Sequence, residues 1–161
     1  MADLPDWVLL AYRMPREPST PRINVWRKLH KLGAVQLVDG LVALPATART
    51  REQFDWLADE VLEAGGEAWT WTAVPGSKDQ HKQLTARITE AIAVDYQAVL
   101  DEAEQVARED TATRRTVERM RRELRRIEAR DHVGPKDRDR AWGAVDRLAV
   151  LLDADDEASR R

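Results

Sequence analysis

The first half of the chain is built from short apolar blocks whose spacing changes from block to block. Trp7-Val8-Leu9-Leu10-Ala11-Tyr12-Arg13 is a near-continuous apolar run with aromatic and branched residues, which predicts a buried strand. Thr20 before Pro21 predicts a helix start, with Thr20 as the cap and proline at the first helical position. Ile23, Trp26, Leu29 and Leu32 then recur at helical spacing until Gly33. Residues 34–38 and 41–45 flank Asp39-Gly40, the dipeptide of a two-residue hairpin turn. Such a turn sets Leu37 opposite Val42 and Val35 opposite Leu44, with all four on one face. Thr50 and Gln53 have the spacing of a capping box for a second helix, whose stripe is Phe54, Leu57, Ala58, Val61 and Leu62. Gly65-Gly66 ends that helix, and residues 67–73 alternate as a last strand.

Beyond Pro75-Gly76 the pattern changes. No glycine or proline falls between residues 77 and 133, and the stretch is rich in Ala, Glu, Arg and Leu, which predicts long helices. The first starts near Ser77 and carries Leu84, Ile88, Ile92, Tyr96, Val99, Ala103 and Val106 on one stripe. The second, from about Thr111, repeats Val117, Met120, Leu124 and Ile127. The third follows Gly134-Pro135 with Trp142, Val145, Leu148 and Leu152, and the polar residues 153–161 are expected to fray. The predicted fold class is α+β: a ferredoxin-like β-α-β-β-α-β domain over residues 1–75, then a charged three-helix region over 76–161. Narrow apolar stripes between charged faces make homodimerisation through these helices an expectation.

Composition narrows the chemistry. There is no cysteine, which excludes disulfides, thiolate nucleophiles and cysteine-ligated metals. Asp3 and Asp6 interrupt the N-terminal segment, unlike a signal peptide, and no apolar run approaches the ~20 residues that span a bilayer. A cytoplasmic protein with no membrane partner is expected. The net charge of −3 gives no overall preference for a polyanion, yet the charge is segregated. Residues 13–31 hold six Lys/Arg against Glu17 alone, residues 95–110 six acids against Arg108 alone, and residues 111–130 eight arginines against three glutamates.

One stretch reads Arg22-x-x-x-Trp26-Arg27-x-Leu29-x-x-Leu32-Gly33-Ala34-Val35, then Asp39-Gly40-Leu41-x-x-Leu44-Pro45. It resembles the N-terminal domain of the ChrB-type chromate-resistance regulators, with their Trp-led strand, Val-Trp-Arg helix and Asp-Gly hairpin. The segment from Met120 through Arg130-Asp131-His132-Val133-Gly134-Pro135 is similar to that family's arginine helix and Arg-Asp-aromatic-aromatic-Gly turn, with His132 and Val133 in place of the aromatics. The resemblance implies a regulator of transcription linked to chromate resistance, binding its own promoter DNA. It also implies a second, C-terminal domain in full-length members, so chromate sensing is expected to depend on whether that domain carries it.

Two basic clusters are the candidate DNA- or anion-binding sites. Arg13, Arg16, Arg22, Arg27, Lys28 and Lys31 gather around the first helix, whose N-terminus also favours a phosphate or an oxyanion such as chromate. Arg27, Lys28 and Lys31 are expected on an outer face opposite Trp26 and Leu29. Arg115, Arg119, Arg122 and Arg126 form an i, i+4, i+7, i+11 ridge that could follow a phosphate backbone. Against these stand an ordinary solvated face for the first cluster, and pairing with the acidic stretch 95–110 or with another copy for the second. Trp69 and Trp71 share one strand face and are expected to be buried under the C-terminal helices. His30, His81 and His132 lack metal-ligand spacing, and no glycine-rich phosphate loop or Gly-x-Ser-x-Gly is present, so neither an enzyme nor a cofactor is expected. The alternative to a DNA-binding regulator is a non-enzymatic interaction or dimerisation module.

Overall fold

The computed structural model describes residues 4–160. It is a mixed α+β chain with one four-stranded sheet and five helices. Two compact units divide it, one ending at Ile88 and the other beginning at Thr89.

In the first unit the order is β1 (Trp7–Arg13), α1 (Ser19–Leu32), β2 (Val35–Val38), β3 (Leu41–Pro45), α2 (Ala48–Glu63), β4 (Glu67–Ala73) and the first turns of α3 (Lys78–Glu109). The strands lie in the order β2-β3-β1-β4, and every neighbouring pair is antiparallel. Alternation along β1 decides the two faces. Val8 and Leu10 pack with Val25, Leu29, Phe54 and Val61 in a core beneath α1 and α2. Trp7 and Leu9 point to the other face, where Leu84 and Gln80 from the start of α3 meet them around a cavity of about 390 Å³. There the Trp7 indole Nε1 donates to His81 Nδ1 at 3.2 Å, and the Arg87 guanidinium donates to the Gln36 carbonyl at 3.3 Å.

Glycine marks two close approaches in this unit. Gly40 has φ +75°, and a Cβ there would lie 2.6 Å from the Tyr12 carbonyl oxygen. A Cβ on Gly66 would meet the Arg13 carbonyl at 2.4 Å and Val61 Cγ1 at 2.8 Å.

Four local expectations need correction. The hairpin is irregular: Val38 pairs with Leu41 and Gln36 with Val42, so Leu37 is an extra residue on β2. This β-bulge places Val35 opposite Ala43, away from the core that holds Val42 and Leu44, and the four apolar residues do not share a face. α1 starts at Ser19 with Pro18 as its N-cap and no side-chain cap. Its buried positions are Val25 and Leu29, while Ile23 and Trp26 are exposed, because the helix is rotated so that the smaller branched residue meets the sheet. The α2 cap is Thr47, whose hydroxyl accepts from the Thr50 N–H at 3.1 Å while Thr50 Oγ1 accepts from the Thr47 N–H at 2.8 Å. Thr50 is therefore the third helical residue, buried, with its hydroxyl also donating to the Pro45 carbonyl at 2.7 Å.

The second unit packs the rest of α3 with α4 (Arg114–Glu128) and α5 (Lys136–Ser159). Val117, Met120, Leu124 and Ile127 are buried as the 3-4-3 spacing predicts, against Tyr96, Val145 and Leu148. This seam is filled within the chain, so Met120 and Leu124 offer nothing to another copy. α5 does not fray at Asp153 but continues to Ser159, held by Arg114, which donates to Asp153 at 3.3 Å and Asp156 at 2.5 Å. The α4–α5 turn is built on Asp131. Its carboxylate accepts the buried Tyr96 hydroxyl at 2.8 Å and the N–H groups of Val133 and Gly134 at 2.9 and 2.7 Å. Among the described residues, no helix is long and apolar enough to cross a membrane.

Candidate nucleic-acid interface

α1 is the one helix of the five with no carboxylate: it carries Arg22, Arg27, Lys28 and Lys31 and no Asp or Glu. Val25 and Leu29 fix its inner face, which directs Arg27, His30 and Lys31 outward and sets Lys28 on the flank toward α2. Lys28 is consumed there, donating to Glu60 at 2.5 Å. Arg13, at the end of β1, is likewise paired, with Glu67 at 2.8 Å. Arg16 stands exposed in the loop between β1 and α1. Arg22, Arg27 and Lys31 are exposed, and among the described residues none of them pairs with a carboxylate.

Arg22 also lines a surface pocket of about 380 Å³ with Tyr12, Met14, Ile23, Trp26 and Gly40. Trp26 is 59% exposed and stacks on His30 with ring centroids 5.4 Å apart. Trp26 therefore belongs to the surface of the basic helix and not to its buried side, a correction to the stripe expected from spacing. A cation beside an exposed flat ring suits both phosphate contact and base stacking.

The arginines of α4 and of the turn after it divide into two groups. Those flanking the buried seam reach neighbouring helices: Arg119 makes a two-pronged pair with Glu102, Arg130 in the turn pairs with Asp95 at 2.8 Å, and Arg121 with Asp146 at 3.2 Å. The first two pair with the acidic stretch folded back antiparallel, the alternative weighed against a phosphate-tracking ridge. Arg114 lowers the carboxyl pKa of Asp156, chiefly by its hydrogen bond and then by its charge. Arg126 pairs only within its own helix, with Glu123 at 3.4 Å. Arg115 and Arg122 are exposed and have no carboxylate partner among the described residues. The continuous ridge is thus interrupted at Arg119 and is open to solvent at Arg115, Arg122 and Arg126.

Trp69 and Trp71 are not buried under helices. They are 67% and 59% exposed on β4. Trp56 on α2, 64% exposed, lines a shallow pocket with Lys28, Lys31 and Glu60. Four of the six tryptophans therefore lie on the surface, which their apolar neighbours in sequence did not disclose.

The family model described as Protein ChrB, N-terminal, matches residues 22–158, a span that takes in α1 from Arg22 onward and the whole of α4. The chain belongs to this family. A curated relative, Protein ChrB of Cupriavidus metallidurans, is 30% identical over 80 residues, which is 50% of this chain and 25% of the relative. The matched segment thus spans a quarter of that ChrB protein's length. No solved structure matches the chain. Within the ChrB N-terminal match, the Arg130-Asp131 pair has a geometric role: Arg130 ties the turn after α4 to Asp95 of α3, and Asp131 closes the turn onto Tyr96. Both contacts are made by Arg130 and Asp131 themselves, and Val133 packs against the helical core.

Proposed function

We propose that this chain is the DNA-contacting part of a transcriptional regulator, or an accessory to one, linked to chromate resistance. The observation that carries the reading is α1: Arg22, Arg27 and Lys31 are exposed and, among the described residues, without a carboxylate partner, on a helix that has no Asp or Glu and beside the exposed ring of Trp26. Its first turn has no side-chain cap and no acidic residue, so the N–H groups there also favour a phosphate or the chromate oxyanion. We read the antiparallel order β2-β3-β1-β4 with both crossover helices on one face as ferredoxin-like, a frame that leaves the outer side of α1 free for a duplex. The role is non-catalytic and cytoplasmic in this reading.

The test is fluorescence anisotropy of the purified chain with its own upstream DNA, titrated at several salt concentrations and with chromate. Arg27→Glu is expected to weaken binding severalfold and to flatten the dependence of log affinity on log salt by about one. An Arg22→Glu/Arg27→Glu/Lys31→Glu chain that binds like wild type would end the proposal. Binding that is absent at every salt concentration would favour an interaction module, for which the surface tryptophans are the relevant feature.

A further inference from the structure

The sheet ends on two unlike edges. β2 has four residues and is broken by the bulge at Leu37. β4 has seven residues and pairs with β1 at every one of them, without irregularity. Short length, bulges, charges and prolines are what keep free strand edges from pairing with other chains. β4 has none of these between Ala68 and Ala73, and it displays Trp69 and Trp71 instead.

We infer that β4 is a self-association edge, where a second copy of this chain adds antiparallel and extends the sheet to eight strands. Charge on α2 selects the register. Thr70 Oγ1 donates to Asp55 Oδ1 at 3.2 Å, which fixes Asp55 beside Thr70. α2 turns directly into β4 through Gly65-Gly66 and so runs against it. Arg51, one turn earlier on the same flank, lies about 6 Å along, the length of roughly two strand residues, level with Thr72. A two-fold axis through Trp71 sets Thr70 of one copy opposite Thr72 of the other. It thereby brings Asp55 beside Arg51 of the second copy, twice.

On the sheet face opposite α2 the two Trp71 rings meet, and each Trp69 lies beside Ala73 of the other copy. Arg51 is exposed and has no other carboxylate partner among the described residues. Four half-exposed indoles supply roughly 300–500 Å², and the strand edges and helix flanks bring the contact near the lower bound of ~1,000 Å² for a specific interface. A reversible, concentration-dependent dimer follows, distinct from any pairing through the filled seam of α4.

Analytical ultracentrifugation of the full chain over a concentration series tests this. The weight-average mass should rise from 18.4 kDa toward twice that value. Trp71→Lys should stay monomeric with an unchanged circular dichroism spectrum. Arg51→Asp and Asp55→Arg should each raise the dissociation constant about tenfold or more. Mixing those two variants should restore dimers, because each charge then faces its opposite across the axis, which a contact within one chain cannot reproduce. A wild-type chain that is monomeric at every concentration, or charge variants that dimerise alone as well as they do mixed, would overturn the inference. Since DNA plays no part in this assay, its result is independent of the function proposed above.

Discussion

Asp131 is the residue on which the α4–α5 turn depends, and its removal has a calculable cost. Asp131→Ala deletes three accepted hydrogen bonds at once. The most expensive is the one from Tyr96, a residue with no exposed surface, whose hydroxyl would be left without a partner. An unsatisfied buried polar group costs about 1–3 kcal/mol, and the half-buried Val133 N–H adds about 1 kcal/mol. The Gly134 N–H is exposed and can turn to water, so it adds little. The sum is about 3 kcal/mol, a large share of the stability of a small domain. Asp131→Asn keeps an acceptor for the turn and should cost about 1 kcal/mol. Tyr96→Phe removes only the phenol and leaves a carboxylate oxygen that water can reach, again about 1 kcal/mol. Urea unfolding followed by far-ultraviolet circular dichroism ranks the three variants. An Asp131→Ala chain losing under about 1 kcal/mol, or no more than Tyr96→Phe, would refute the reasoning, because the turn would then be held by packing alone.

Three further outcomes are expected. Burial first, and then the hydrogen bond to Asp131 and its charge, raise the Tyr96 phenol above its ordinary value of 10.0. The unfolded chain therefore releases that proton first, so this contribution is intact below pH 10.0 and is lost as pH rises past it, a decline that Tyr96→Phe should lack when unfolding is followed against pH. Leu124→Ala empties a fully buried position of the α4 seam and should cost about 2–5 kcal/mol by urea titration, whereas Arg119→Ala, which breaks an exposed pair with Glu102, should cost under about 1 kcal/mol. Gly66→Ala drives a methyl against the Arg13 carbonyl and should cost about 2 kcal/mol or more, seen as a lower melting temperature.

Much of the architecture could be read from residue spacing, and the failures have definite physical causes. The α4 stripe was legible because its polar positions are nearly all charged, leaving Val117, Met120, Leu124 and Ile127 as the face that could be buried. α1 was harder, since Ile23 and Trp26 compete with Val25 for the same helical period, and periodicity alone does not tell which side meets a sheet. The bulge at Leu37 was hidden because Asp39-Gly40 fixes the turn and not the ladder behind it. In the candidate interface, local charge located the basic helix. The pairing of Lys28 with Glu60 and of Arg119 with Glu102 depends on contacts between segments 32 and 17 residues apart, which composition does not encode.

The two tyrosines give the molecule an internal optical reporter. Tyr12 lies in one compact unit and Tyr96 in the other, and the phenol pKa of each is raised, mainly by burial. Folding thus makes each phenol harder to ionise, and phenolate absorbance in alkali should rise when the unit that holds it opens. With Tyr12→Phe the remaining signal belongs to the helical unit alone, and with Tyr96→Phe to the sheet unit. The order in which the two halves come apart then becomes visible in an ordinary spectrophotometer, without any label.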